Sequence, residues 1–151
     1  MKKVLMKTIG IYNVILIIGF SYLLMGCSVD DGKSNVNFSY KLNEIISVEI
    51  PDTVRENGIY DLEIEFKKSA DCYSFSGFDF KIGENENERI ISVISSVVDV
   101  DNTCQKYKSP KTEIENFEFS VRRDDYYILK FWQGIDSLNK PIYLTKRIEV
   151  R

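Results

Sequence analysis

The chain has 151 residues, enough for one domain with a single core. It contains no histidine, which excludes Ser-His-Asp and Cys-His nucleophiles. Lys2, Lys3 and Lys7 are the only charged residues before Cys27, so the chain from there on carries 17 of the 20 basic residues against all 23 acids. That formal charge of −6, against −3 for the whole chain, argues against a nucleic-acid partner and against a polybasic membrane patch.

The first 26 residues have the build of an export signal. Lys2, Lys3 and Lys7 make a basic start, Ile9 to Leu24 is mostly apolar, and Gly26 is the small residue before a cut. A transmembrane helix would need ~20 apolar residues and charged flanks. Here Asn13 interrupts the run, and no Lys or Arg follows until Lys33. Leu24-Met25-Gly26-Cys27 resembles the lipobox of bacterial lipoproteins. The resemblance implies cleavage between Gly26 and Cys27, lipid on Cys27 and attachment to a membrane. Cys27-Ser28-Val29-Asp30-Asp31 resembles the acidic export tag of Bacteroidota lipoproteins, with Asp30 and Asp31 as its acids. It implies the outer membrane and the cell surface. Asp52-Thr53-Val54 and Asp136-Ser137-Leu138 resemble the O-glycosylation tripeptides of the same group, but both also read as turns.

Residues 27–37 form an acidic tether by composition, too polar to offset the entropy of ordering. The domain is expected over 38–151. Its residues alternate with period two, the signature of strands. Phe38, Tyr40 and Leu42 share a parity with Ile46, Val48 and Ile50. Tyr60, Leu62, Ile64 and Phe66 alternate with acids. Tyr73 and Phe75 differ in parity from Phe78, Phe80 and Ile82, so a bulge is expected at Gly77. Ile90 to Val100 is a β-branched run. Phe117, Phe119 and Val121 alternate with polar residues, Tyr127, Leu129 and Phe131 face one way, and Ile142, Leu144, Ile148 and Val150 close the chain. Asn57-Gly58, 83–87, 99–102, 123–125 and 134–139 are the breakers.

About seven strands at this spacing predict an all-β, antiparallel sandwich of immunoglobulin-like type. Asp125-Tyr126-Tyr127-Ile128-Leu129 resembles that fold's tyrosine corner, with the Tyr127 hydroxyl bonded to backbone. Ile50 to Arg151 is also similar to small Bacteroidota lipoproteins with one immunoglobulin-like domain. The supporting residues are Cys72, Phe75, Gly77, Cys104, Phe131-Trp132-Gln133-Gly134 and Tyr143-Leu144. The resemblance implies fold and location only.

With Cys27 given to lipid, Cys72 and Cys104 remain as an even pair, expected as a disulfide outside the cytoplasm. Without His or Cys-x-x-Cys, a metal site on them is disfavoured. No cofactor is expected. Glu63, Glu65, Glu84, Glu86 and Glu88 read as solvated faces and a turn rather than a catalytic carboxylate pair. Asp99-Val100-Asp101-Asn102-Thr103 hints at calcium, but Cys104 and Pro110 stand where an EF-hand loop needs Gly and Glu. A different calcium site near Asp99 and Asp101 stays open.

Tyr126, Trp132 and Tyr143 have the parity opposite to the core residues of their strands, with Lys130 beside them. Outward aromatics anchor sugars and protein interfaces, so these three are the candidate binding residues. The expected function is a lipid-anchored, surface-displayed binding or accessory module for a glycan or protein, not an enzyme. The alternative is a periplasm-facing inhibitor or immunity lipoprotein.

Overall fold

The computed structural model describes residues 35–151, which belong to one compact unit. The expected signal peptide of 1–26, the lipidated Cys27 and the Asp30–Asp31 tag lie outside the described residues. Nine strands make up the fold: β1 (Val36–Asn43), β2 (Ile45–Glu49), β3 (Thr53–Val54), β4 (Ile59–Ala70), β5 (Tyr73–Ile82), β6 (Glu88–Val100), β7 (Lys106–Ser120), β8 (Tyr126–Ile135) and β9 (Pro141–Val150). There is no helix among the described residues.

Two sheets face each other. The smaller runs β2-β4-β7, all antiparallel. The larger is built on β6. One of its edges pairs with β5 through Arg89–Val97. Its other edge pairs with β1 through Val93–Val100 and with β8 through Glu88–Ile91, so β1 and β8 lie end to end beside it. β9 pairs with β8, and β3 with β9. The expected β-sandwich is therefore the observed one, with two corrections. The strands number nine rather than about seven, and the larger sheet is mixed, because β6–β8 and β3–β9 run parallel. Short segments such as β3 carry too little pattern to be read as strands. Thr53-Val54 is one of them, with Val54 fully buried, rather than a turn.

The core fills the space between the sheets with Leu62, Ile64 and Phe66 of β4, Ile91 and Val93 of β6, Tyr127, Leu129 and Phe131 of β8, and Ile148 of β9. Each set alternates with outward residues, as the pleat demands. Burying an aromatic or branched aliphatic side chain contributes about 1.5–3 kcal/mol, so these positions dominate the stability. The bulge expected at Gly77 is present: the register slips between Phe75 and Gly77, and Gly77 has φ 141°. A second bulge, between Trp132 and Gly134, bends β8, with Gly134 at φ 128°. Asn57, Asp101, Asn102 and Asn139 take up the left-handed turn positions, which short polar side chains tolerate.

The entry to the domain differs from expectation. β1 begins at Val36, not Phe38, and the Asn35 N–H is held by Asp101 Oδ1 at 2.8 Å. Phe38, Tyr40 and Leu42 do share one face, but it is the outer one, and they are 58%, 61% and 47% exposed. The opposite face of β1 carries Asn37, Ser39, Lys41 and Asn43, beside Asp99, Val97, Ser95 and Val93; of these four only Asn43 is buried. Asn43 Nδ2 bonds Ser95 Oγ inside the sandwich. Alternation reveals that a strand has two unlike faces; which one meets the core is set by register, which is non-local. The chain then crosses sheets at Ile45, which is buried in place of the expected Ile46, and β2 has a bulge between Ile45 and Ser47.

Candidate functional site

Cys72 and Cys104 are joined, with their Cα atoms 5.4 Å apart. The bridge ties the β4–β5 turn to the β6–β7 turn. Backbone bonds reinforce it: Asp71 N donates to the Gln105 carbonyl, and Gln105 N to Asp71 Oδ1. Asp71 lies close to both sulfurs. Sulfurs bonded to each other are not thiolate ligands, so this trio serves the turn. Asp99 and Asp101, the calcium candidates, also hold backbone. Asp99 Oδ1 accepts from Cys104 N at 3.0 Å, and Asp101 Oδ1 from Asn35 N.

The carboxylates read as solvated divide. Glu63 is exposed and Glu65 accepts from Ser47 Oγ. Glu88 is a correction: it is buried, at 6% exposure, and pairs with Lys130 Nζ at 2.9 Å. The Lys130 hydrogen bond holds its carboxyl below the usual range, against the opposing pull of burial. The parallel β6–β8 pairing sets Glu88 opposite Ile128 and thus near Lys130. Position in a polar turn gave no sign of this, because the partner is 42 residues away.

Tyr126, Trp132 and Tyr143 all lie on the outer face of the β8–β9 hairpin, each half-buried. The structure brings two of them together: Trp132 stands directly opposite Tyr143 across the ladder. Tyr126 is at the other end of β8, opposite Glu149, with the Arg147 guanidinium 3.8 Å above its ring. A cation in that position covers the ring's face, so Tyr126 is separate from the Trp132–Tyr143 pair. Lys130 lies between them and is occupied by Glu88.

The outward apolar face of β1 enlarges this surface. Val36, Phe38, Tyr40 and Leu42 lie opposite Val100, Val98, Ser96 and Ile94 of β6. Phe38 and Tyr40 meet edge to face with centroids 5.0 Å apart. β1 and β8 share an edge of β6: the β8 pairing ends at Phe131 beside Ile91, and the β1 pairing ends at Asn43 beside Val93. The strip on β1 runs from Val36 at the domain entrance to Leu42, on the same outer face of the larger sheet as the Trp132–Tyr143 pair. Sequence reasoning missed this strip. The signal was present in the polar set Asn37, Ser39, Lys41 and Asn43, which is a poor core face.

A second feature lies on the far side of the sandwich. Phe80, Ile82, Phe117, Tyr127, Arg89 and Arg122 line a cleft of about 440 Å³ between β5 and β7.

Fold and site together define an all-β sandwich domain with one disulfide and an outward apolar face. Compared with protein-family models, curated proteins and solved structures, the chain matches none.

Proposed function

We propose that this chain is a lipid-anchored binding module of the outer membrane, displayed at the cell surface, which holds a partner on the outer face of its larger sheet. The observation that carries the reading is the inverted strand β1. Its apolar residues Phe38, Tyr40 and Leu42 lie exposed on the outer face, and on its other face only Asn43 is buried. Exposed contiguous apolar surface costs solubility and marks interaction sites. Here it shares the outer face of the larger sheet with the Trp132–Tyr143 pair, the type of aromatic anchor that dominates interfaces. The aliphatic share of the strip, Val36, Leu42, Val98 and Val100, favours a protein partner over a glycan. A glycan stacks on flat rings, whereas aliphatic branches pack against other side chains. The leader, Cys27 and the acidic residues behind it support the anchor and the compartment. A binding rather than catalytic role is supported by the absence of histidine and by the engagement of Asp99, Asp101 and Glu88 in structural bonds.

Site-specific photo-crosslinking on intact cells tests this reading. A photoreactive residue at Tyr40 or Trp132 should give a discrete protein adduct. The same residue at Glu63, exposed on the outer face of the smaller sheet, should give none. No adduct from either of the first two positions would sink the proposal.

A further inference from the structure

The smaller sheet ends at β7, and no strand pairs with its other edge among the described residues. On the same side the larger sheet ends at β5, which pairs only with β6. The two edges belong together: Phe78 and Phe80 of β5 stack on Phe117 of β7, with centroids 5.2 and 5.6 Å apart. In the immunoglobulin-like order A-B-E-D, β2, β4 and β7 take the first three positions. The fourth has no counterpart among the described residues. The cleft of about 440 Å³ opens at that position, and its size is that of a ligand site.

The β7 edge carries charged residues along its whole length. The first half of β7 carries Lys106, Lys108 and Lys111, and Pro110 has no backbone N–H; these are features that discourage edge pairing. From Thr112 to Ser120 there is no Lys, Arg or Pro, and the charges are Glu113, Glu115 and Glu118, the first two on the inward face opposite Phe66 and Ile64. Only Phe117 to Ser120 of β7 borders the cleft, and Glu118 is the one charge among these four.

The cleft also has a charge that the domain does not balance. In a chain with excess acid, neither Arg89 nor Arg122 has an ion-pair partner among the described residues. Arg89 is held by backbone instead. Its Nη1 donates to the carbonyls of Glu86 and Glu88, both at 2.7 Å, and its guanidinium lies 5.3 Å over the Tyr127 ring. Carbonyls orient a guanidinium without cancelling its charge. Glu118 lines the same cleft, so an incoming acid is favoured only at the arginine end.

We infer that this cleft takes an extended acidic segment of a partner protein as a fourth strand on β7. One apolar side chain of the segment rests on Phe80 and Phe117, and a carboxylate meets Arg89 and Arg122. Two open strand edges offer rows of main-chain donors and acceptors, which a peptide matches and a sugar does not. This site is independent of the outer face assigned above.

The test uses the full chain in detergent, with a displayed library of random nine-residue peptides as the probe. Enriched peptides should alternate apolar and polar residues and carry an acid. The best of them should slow amide exchange over 112–120 and not over β1. Phe80→Ser and Arg122→Glu both alter exposed side chains, so the unfolding midpoint should hold while affinity falls at least about tenfold. Trp132→Ala should leave peptide affinity unchanged. The inference is overturned if no peptide is enriched, or if enriched peptides protect another segment or ignore both substitutions. It is equally overturned if 112–120 is protected without peptide in a concentration-dependent way, since a second copy then occupies the edge.

Discussion

The Tyr127 hydroxyl accepts the Arg122 backbone N–H at 2.9 Å, closing the corner between β7 and β8. The ring is buried and meets Phe119 edge to face at 4.9 Å, so the hydroxyl reaches the corner from inside the core. Tyr60 repeats the device at the entry to β4: its hydroxyl accepts Arg55 N at 2.8 Å, five residues upstream, in an exposed setting. Tyr127→Phe should cost about 1 kcal/mol, the net worth of a hydrogen bond, and Tyr60→Phe less because water replaces its bond. Urea denaturation would show both as lower midpoints with unchanged slope.

The corner was legible in the sequence because it is local. Tyr127, Leu129 and Phe131 face inward as their alternation requires. Gly77 marks its bulge, and Asn57-Gly58 and Asp136 to Asn139 mark their turns. What the sequence did not disclose depends on partners far along the chain. The face of Phe38 and Tyr40 follows from pairing with residues about 60 positions away, and the burial of Glu88 from its pairing with Lys130. Trp132 and Tyr143 sit on the expected face because one hairpin joins them. Tyr126, on the same face, is separated from them by the length of β8.

Protein made outside the cytoplasm should show no free thiol at Cys72 or Cys104 after denaturation without reductant. Replacing both by Ser should lower stability by about 3–4 kcal/mol in the chain-entropy account of a loop this size. Stoichiometric labelling of both thiols would contradict the bridge.

The acid limb of stability should depend on Asp125. The Arg123 side chain holds its carboxyl down at about 2, below the usual ~3.9. A depressed carboxyl contributes stability that is complete above the unfolded value and is lost as pH falls through the folded one. Asp125→Asn should therefore flatten the decline in unfolding free energy between about pH 4 and pH 2. The effect should be small, because the pair is exposed. An acid limb as steep as that of the parent would count against the pairing.

Cys27→Ala should move the chain from the detergent phase to the aqueous phase, since the acyl chains that would hold it are lost. In the parent, protease treatment of whole cells should remove the domain from the surface. A domain that survives shaving while remaining membrane-bound faces the periplasm, which is where an inhibitor would sit.

Trp132→Ala should weaken partner binding by at least ~30-fold, the equivalent of 2 kcal/mol for an aromatic anchor. Its cost in stability should be modest, because the ring is half-buried on the outer face. Unfolding of this variant would instead make Trp132 part of the fold's support.

The central claim is that the outward face of β1 holds a partner. The most direct measurement compares crosslinking from position 132 on intact cells with and without Phe38→Ser/Tyr40→Ser. Both residues are more than half exposed. The double substitution should therefore leave the unfolding midpoint near that of the parent, whereas losing a core Phe costs about 3–5 kcal/mol. The account predicts a folded domain whose adduct disappears. An undiminished adduct, or a domain that unfolds, would contradict it.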